Sequence, residues 1–341
     1  MSSPRGLRLA AVFACARGGV QAAQRHRWVM MSSQRSGTAF VTDYLRTVPC
    51  VMASSEMFLD RGALVWDAAT QRSCLDAFAG TADDDAARAR PRSNLTAKFD
   101  AMLDRTRAAE AGGAPVASGF KWMASQDAKR HWPRFVDGCA KNGVRLLFLL
   151  RRNVLRQLVS RTLNQADRDR TSPTYAHHAH PDDDARLAQQ RRARATLPEG
   201  ARLIAALDKL RTAWADLDAM RLYALARGVP AARILYEDVD EDHGLFNNVT
   251  AFLLGGASPD DRRRCAAARE SAAPAVATAK LHATAKLADA VANWAATARS
   301  LRHTAYAPCL EEGPAEGTAA LTNPASSFPL TGPGRPCWRE G

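Results

Sequence analysis

The chain has 341 residues, and its 47 lysine and arginine residues outnumber its 35 aspartate and glutamate residues, which leaves a formal charge of +12. With 46% hydrophobic residues, it is too apolar for a chain that is disordered throughout. Its seven cysteines are widely spaced and include no Cys-x-x-Cys pair, so neither a zinc ribbon nor a full disulfide framework is indicated, and at most one or two bridges are expected. No stretch reaches the ~18 apolar residues that a membrane-spanning helix needs.

The excess positive charge fits three kinds of partner: a nucleic acid, an anionic membrane surface, or a small polyanionic ligand held in a cleft. Composition does not choose between them. Arginine dominates the basic residues and alanine the apolar ones, a bias that a GC-rich genome also produces. The choice must therefore come from motifs and their positions.

The two ends of the chain differ in composition from its middle. Residues 1–42 contain six arginines and no Asp or Glu, with an apolar run at 9–16, which is typical of a transit peptide, a weak signal peptide or a disordered start. Residues 311–341 are rich in Pro, Gly, Ser and Thr, which predicts a disordered tail. We therefore expect a leader at 1–25 and one domain at 26–310, located in the cytoplasm, or in the Golgi lumen or another organelle if the leader is a targeting segment.

Apolar runs and helical spacing alternate through the middle of the chain. In chain order, the predicted elements are a strand at Arg27–Ser33, a helix at Thr38–Val48, strands at Val116–Met123 and Gly143–Leu150, a helix at Asn153–Leu163, a long helix at Ala201–Arg227 and a strand at Arg233–Tyr236. This alternation predicts an α/β fold of three layers, in which helices flank a central parallel sheet as in P-loop proteins. The polar segment 166–200 is predicted to be an inserted loop or lid.

The most informative stretch, Gln34-Arg35-Ser36-Gly37-Thr38, lies where the first predicted strand leads into the first predicted helix. Backbone N–H groups and a helix N-terminus converge there and favour an anion, which Gly37 allows to approach closely. Arg35 adds a full positive charge, and the hydroxyls of Ser36 and Thr38 add donors. The loop lacks the pattern G-x-x-x-x-G-K-[ST], which argues against an ATPase or a kinase.

A second candidate element follows the strand Gly143–Leu150. If Arg152 ends that strand and Ser160 lies two turns into the next helix, a guanidinium and a hydroxyl converge on one phosphate at the carboxyl edge of the sheet. Ligands of open α/β sheets bind at that edge. The alternative is that Arg152 is a surface charge and Ser160 an ordinary helical residue.

Together, these motifs resemble those of the sulfotransferase superfamily, whose members transfer a sulfuryl group from 3′-phosphoadenosine 5′-phosphosulfate (PAPS). Residues Gln34–Phe40 are similar to the R-S-G form of the 5′-phosphosulfate loop in its carbohydrate and bacterial members. Residues Arg152–Ser160 match the spacing of its 3′-phosphate element, R-N-x-x-D-x-x-x-S, with arginine in place of the Asp. Tyr236-Glu237-Asp238 resembles the family's Tyr-Glu-Asp, whose tyrosine lies against the adenine.

The resemblance implies PAPS as the co-substrate and no metal. The residues that it implies for binding PAPS are Arg35, Ser36, Gly37, Thr38, Ala39, Phe40, Arg152, Ser160, Tyr236 and Lys280. It also places Lys121 where cytosolic members carry an active-site lysine. Met123 stands at the position of their catalytic histidine and cannot accept a proton, so the base is another residue. Residues 54–58 resemble the G-E-x-F segment of bacterial and carbohydrate members, which makes Glu56 the candidate general base.

The function implied by this resemblance is in-line transfer of a sulfuryl group to a hydroxyl of a carbohydrate or another small polar acceptor. Arg35, Lys121 and Glu56 are the expected catalytic residues. The expected partner is a small molecule or a glycan, rather than a nucleic acid or a membrane. Two alternatives stay open: a nucleic-acid or polyanion-binding protein that uses the surplus arginines, and a divergent P-loop nucleotide hydrolase.

Overall fold

The structure is a computed structural model. It describes residues 26–48, 50–58, 68–79, 97, 99–105, 117–170, 193–241, 245–255, 263, 265, 286–311 and 336–338. The strands and helices are, in chain order, β1 (His26–Ser32), α1 (Thr38–Thr47), β2 (Val51–Glu56), α2 (Ala68–Ala79), β3 (Ala117–Met123), α3 (Ala128–Asn142), β4 (Arg145–Leu150), α4 (Val154–Arg170), α5 (Gly200–Ala226), β5 (Ala231–Leu235), α6 (Tyr236–Glu241), α7 (Leu245–Leu253), α8 (Leu287–Ala290) and α9 (Trp294–Leu301), followed by a 3₁₀ turn at Ala307–Leu310.

The strands of the described residues form one parallel sheet with the order β2-β3-β1-β4-β5. The predicted fold class, an α/β fold with a central parallel sheet flanked by helices, is confirmed. Strand β1 lies at the centre, between β3 and β4. Because the strands are parallel, their carboxyl ends meet at one edge of the sheet, where loops from distant parts of the chain come together.

Alternate residues of the strands face two helical layers, as a sheet that is covered on both sides requires. In β4, Leu146, Phe148 and Leu150 pack in a core with α2, α3 and α5. Leu147 and Leu149 pack in a second core with α1 and α7. Burial of each such side chain stabilises the fold by about 1.5–3 kcal/mol. The unbroken apolar run of β4 is therefore explained by its central position.

The predicted elements agree with the observed ones to within two residues at their ends, with one exception. Helix α4, predicted to end at Leu163, continues to Arg170. Strand β2 and several helices, among them α2, α3, α6 and α7, were not predicted. Strand β2 lies at the edge of the sheet and has the sequence VMASSE, which lacks the long apolar run of the central strands.

Part of the predicted lid at 166–200 belongs to the core. Ala195 forms a parallel bridge with Val291, and both Ala195 and Leu197 are 2% exposed. These residues pack in a third core with α4, α5 and α9. The expectation of a loop or lid is therefore corrected for 193–197, whereas 171–192 lie outside the described residues. The leader predicted at 1–25 also lies outside them.

The C-terminal end of the chain is anchored to the same third core. Cys337 forms a disulfide bridge with Cys309, and the ring of Trp338 packs edge-on against Trp214 with a centroid distance of 5.5 Å. The prediction of a disordered tail over 311–341 is therefore wrong for 336–338. One cysteine and one tryptophan in a segment rich in Pro and Gly give no periodic signal. Within the described residues, no helix is both long and apolar enough to cross a membrane.

Two disulfide bridges lie within the described residues, Cys50–Cys265 and Cys309–Cys337, in agreement with the expected limit of one or two. Replacing both Cys309 and Cys337 with alanine should lower the free energy of unfolding by about 2–4 kcal/mol, because the bridge restricts the unfolded chain. Urea unfolding, followed by tryptophan fluorescence, measures this change. An unfolding midpoint equal to that of the wild type would show that the bridge does not stabilise the fold.

Candidate functional site

The loop between β1 and α1 has an unusual backbone. Arg35 has φ 65° and Gly37 has φ 82°, both in the left-handed region. Gly37 adopts this conformation readily, whereas a non-glycine residue such as Arg35 does so at a cost of about 1–3 kcal/mol and only where its surroundings hold it there. Strained residues of this kind cluster at binding sites and active sites.

Gly37 also gives Tyr236 room to approach the loop. A Cβ atom at position 37 would lie 1.9 Å from Cδ2 of Tyr236, which is far inside van der Waals contact. The same ring meets Phe40 edge-on, with 6.1 Å between the centroids. Burial raises the pKa of Tyr236, so its hydroxyl stays protonated at neutral pH. The tyrosine that follows β5 therefore lies directly against the loop that follows β1.

Replacing Gly37 with alanine should destabilise the protein by about 2 kcal/mol or more. Alanine is strained at a positive φ, and its Cβ atom would also clash with the ring of Tyr236. Adding Tyr236→Ala should remove the steric part of this cost, so that the double variant is more stable than the two single effects predict. Urea unfolding of the three variants measures the coupling. Strict additivity would contradict the close approach of the tyrosine.

Arg35 and Ser160 are 125 residues apart in the chain, and the structure brings their side chains together. Nε of Arg35 donates a hydrogen bond to Oγ of Ser160 at 3.1 Å. An Nη atom of Arg35 also donates to Oδ1 of Asn164, one helical turn further along α4, at 3.5 Å. These contacts follow from the sheet order, since β1 and β4 are neighbours and their loops share one edge. The loop, helix α4 and Tyr236 thus form one site.

No family model, curated protein or solved structure matches this chain. The function is therefore inferred from the sequence motifs together with the geometry of the site.

Arg152 is buried in this site and is not a surface charge. Its guanidinium pairs with the carboxylate of Asp238, and the Arg152 side chain is 8% exposed. The backbone N–H groups of Arg152 and Asn153 donate to the two carboxylate oxygens of Glu237 at 2.8 and 3.1 Å. Nε of Arg152 is buried and has no hydrogen-bond partner among the described residues. Within the described ranges, the guanidinium of Arg152 thus has one unsatisfied buried N–H donor beside the carboxylate of Asp238.

Arg151, which the sequence analysis did not single out, lies against the loop. Its guanidinium donates to the backbone carbonyl of Arg35 at 3.2 Å and lies 5.0 Å from the ring centroid of Tyr236. Its Nε is 3.7 Å from a carboxylate oxygen of Glu237. Burial lowers the pKa of Arg151, and the Glu237 carboxylate opposes that shift. Arg151 therefore connects the loop after β1, the strand end of β4 and the start of α6.

Glu56 and Lys121 lie side by side at the carboxyl ends of β2 and β3. Nζ of Lys121 is 3.7 Å from Oε2 of Glu56, and their side chains are 12% and 17% exposed. Burial lowers the pKa of Lys121, whereas the Glu56 carboxylate raises it. The other oxygen of Glu56 accepts a hydrogen bond from the side-chain amide of Gln126 at 2.8 Å. The Glu56 carboxylate is therefore fixed on one side and partly open to solvent.

The hydroxyl of Ser36 does not face outward from the loop. Ser36 is fully buried, and its Oγ lies 2.9 Å from Oγ of Ser33 and 3.3 Å from Nε2 of Gln157. Thr38 is also buried. The expected role of the Ser36 hydroxyl as a donor to an anion is therefore corrected in this structure. Its hydrogen bonds to Ser33 and Gln157 stabilise the loop instead.

The remaining predicted residues divide into two groups. Ala39 and Phe40 lie in the first turn of α1, next to the loop, whereas Lys280 lies outside the described residues. The sulfur of Met123 accepts a hydrogen bond from Oγ of Ser32 at 3.2 Å, and a thioether is too weak a base to take a proton from an acceptor hydroxyl. In the part of the chain that the structure describes, no group of three or more His, Cys, Asp or Glu side chains could hold a metal ion.

Four polar residues that complete the site were not predicted from the sequence: Gln126, Arg151, Gln157 and Asn164. A signal for two of them was present in the sequence. Asn153, Gln157, Ser160 and Asn164 follow one another at spacings of four, three and four residues, which places them on one face of a helix. A polar stripe of this kind, beside an apolar core, marks the face that points to a polar site.

Proposed function

We propose that this protein is a PAPS-dependent sulfotransferase that acts on a hydroxyl of a carbohydrate or another small polar acceptor. The main support is the hydrogen bond between Arg35 and Ser160, which joins the loop after β1 to helix α4 at the carboxyl edge of the sheet. The two segments that resemble the 5′-phosphosulfate loop and the 3′-phosphate element of sulfotransferases therefore lie close together. Tyr236, the candidate adenine contact, lies beside both.

The charges of the site suit a donor with an anionic group at each end. Arg35 and the left-handed loop offer a cation and backbone N–H groups for the phosphosulfate. Ser160 and the guanidinium of Arg152 are the candidate donors for the 3′-phosphate. The carboxylate of Asp238 already pairs with Arg152, so an incoming phosphate would share this guanidinium rather than replace its partner. The ring of Tyr236, which packs against Gly37, is the candidate apolar contact for the base.

The proposed chemistry needs no metal ion. The acceptor oxygen forms a new S–O bond while the S–O bond to the bridging oxygen breaks, and 3′-phosphoadenosine 5′-phosphate (PAP) leaves with the electron pair. Negative charge develops on the bridging oxygen, where Arg35 stabilises it. The proton of the acceptor hydroxyl goes to a general base, for which Glu56 is the candidate.

The position of Glu56 agrees with this role. Strand β2 lies two strands away from β1, a separation of about 10 Å at the usual strand spacing, so an acceptor bound between Glu56 and the loop after β1 would span this distance. Gln126 and Lys121 hold its two oxygens and restrict its rotation. Lys121 adds positive charge on the same side of the site, which suits the transferred sulfuryl group.

The direct test is an assay of sulfuryl transfer. Purified protein is incubated with ³⁵S-labelled PAPS and a panel of sugars, glycans and small polar alcohols, without magnesium, and labelled products are separated by chromatography. We expect PAP release together with label in at least one hydroxyl acceptor. Release of inorganic phosphate from ATP that depends on magnesium would instead favour a nucleotide hydrolase. Displacement of PAP by single-stranded DNA at low salt would favour a polyanion-binding protein.

A further inference from the structure

The side-chain amide of Gln157 makes its contacts with the phosphate-binding loop. Gln157 lies on α4, is 2% exposed, and its Nε2 is 2.6 Å from the carbonyl oxygen of Gln34. The same nitrogen is 2.8 Å from Oγ of Ser33 and 3.3 Å from Oγ of Ser36. One amide group thus holds three acceptors within four consecutive loop residues. Because Gln157 lies on α4 between Arg152 and Ser160, its contacts join the loop to the proposed 3′-phosphate element.

A second donor holds the next peptide unit of the loop. The guanidinium of Arg151 donates to the carbonyl oxygen of Arg35 at 3.2 Å. The carbonyl groups on both sides of the Arg35 Cα atom are therefore held by donors from the strand end of β4 and from α4. These contacts explain how Arg35 keeps a positive φ that a non-glycine residue adopts only under constraint.

Because the peptide bond is planar, the contacts of the two carbonyl groups also fix the directions of the N–H groups in the same peptide units. The structure has no cis peptide bonds among its described residues. In a trans peptide unit, the N–H and C=O groups point in opposite directions. Because the carbonyls of Gln34 and Arg35 point toward Gln157 and Arg151, the N–H groups of Arg35 and Ser36 point away from them. Two successive N–H groups arranged in this way form a concave anion site.

We propose that Gln157 is a positioning residue that sets the backbone of the phosphate-binding loop, so that the N–H groups of Arg35 and Ser36 face the 5′-phosphosulfate. The identity of this ligand rests on the proposed function. Gln157 itself does not touch the ligand; it acts by holding the Gln34 carbonyl and the two serine hydroxyls. Arg151 has the same role for the Arg35 carbonyl.

The test compares ligands that occupy one subsite each. Isothermal titration calorimetry measures the affinity of the wild type and of Gln157→Leu for adenosine 5′-monophosphate, adenosine 3′-monophosphate and inorganic pyrophosphate. Gln157→Leu should weaken binding of the 5′-monophosphate and of pyrophosphate about tenfold, because a lost set of hydrogen bonds releases the loop. Binding of the 3′-monophosphate should change by less than about twofold, since Arg152 and Ser160 remain in place.

Two further variants separate positioning from general stability. Gln157→Glu keeps the shape of the side chain but replaces the donor with a carboxylate that repels the Gln34 carbonyl, so it should weaken 5′-monophosphate binding more than Gln157→Leu does. Gln71→Leu makes the same change at an equally buried glutamine on α2, which is bonded to the carbonyl of Gln126, and it should leave 5′-monophosphate binding unchanged. Thermal unfolding confirms that each variant is folded at the temperature of the titration.

Each outcome bears on a different claim. Equal losses for the 5′- and 3′-monophosphates, or no loss for either, would overturn the positioning role of Gln157. A wild-type protein that binds pyrophosphate but not PAP would overturn the proposed donor, and the pyrophosphate titration of Gln157→Leu would still test the loop. Rescue of 5′-monophosphate binding by Gln157→Asn together with failure of Gln157→Leu would support the role of the donated hydrogen bonds.

Discussion

Replacement of Arg35 by alanine should lower kcat/KM for PAPS by about 10³-fold. The change removes the cation that stabilises charge on the bridging oxygen. It also removes the hydrogen bond to Ser160 that ties the loop to α4. Arg35→Lys should recover part of the loss, because lysine keeps the charge but cannot reproduce the fork that reaches both Ser160 and Asn164.

Steady-state kinetics with labelled PAPS measure this effect, and the matched control is Arg134→Ala. Arg134 lies on α3, is largely exposed, and pairs with Asp76 at 2.8 Å. Its loss removes one positive charge of the surplus and should change kcat/KM by less than about twofold, as for other exposed ion pairs. Equal effects of the two substitutions would mean that overall charge, rather than the position of Arg35, governs binding.

Glu56→Gln should lower kcat by about 10²–10⁴-fold, the usual contribution of a general base, while the affinity for PAP stays unchanged. Glutamine keeps the size of the side chain and cannot accept the proton of the acceptor hydroxyl. The contacts of Glu56 with Gln126 and Lys121 lie at the ends of β2 and β3, apart from the loop and α4 that would bind PAP. We therefore expect kcat to fall while the dissociation constant of PAP stays the same.

A single-turnover assay measures the transfer step of this variant, and calorimetry measures its PAP affinity. The matched control is Asp76→Asn, which makes the same kind of change at a carboxylate on α2 and should retain full turnover. Full activity of Glu56→Gln would show that another group accepts the proton. A parallel loss of PAP affinity would show that Glu56 belongs to the donor site instead.

The sequence predicted the fold class because four of the five strands in the described residues have clear signals. The strands β1, β3, β4 and β5 are covered by helices or by neighbouring strands, and they appear as apolar runs between helical segments. The edge strand β2 has only a short apolar part, so it was missed although Glu56 at its end was identified as a candidate. Arg152 and Ser160 were expected to converge on one phosphate at the shared edge of the parallel strands. In the structure, Ser160 accepts a hydrogen bond from Arg35, and Arg152 pairs with Asp238.

Side-chain directions at the strand ends could not be derived from the sequence. Successive residues of a strand point to opposite sides, so a shift of one position decides which of two adjacent arginines faces a loop. In the structure Arg151 contacts the loop, whereas Arg152 pairs with Asp238. The choice depends on Glu237 and Asp238, which lie more than 80 residues further along the chain. Only the three-dimensional structure shows these contacts.

The packing of Trp338 was missed for a similar reason. Its partner Trp214 lies on the long helix α5, and the bridge between Cys337 and Cys309 holds the segment in place. The backbone of Cys337 donates to the carbonyl of Arg152 at 3.2 Å, so the end of the chain supports the start of α4. Contacts of this kind join segments that have no regular pattern, and local periodicity carries no information about them.

The most direct test of the central claim is the dissociation constant of PAP, compared with those of adenosine 5′-monophosphate and adenosine 3′-monophosphate on the wild-type protein. If the loop at Arg35 and the segment Arg152–Ser160 hold opposite ends of one nucleotide, PAP should bind at least about tenfold more tightly than either monophosphate, because each phosphate adds charge-assisted hydrogen bonds. An affinity for PAP no greater than that for the 5′-monophosphate would contradict the claim.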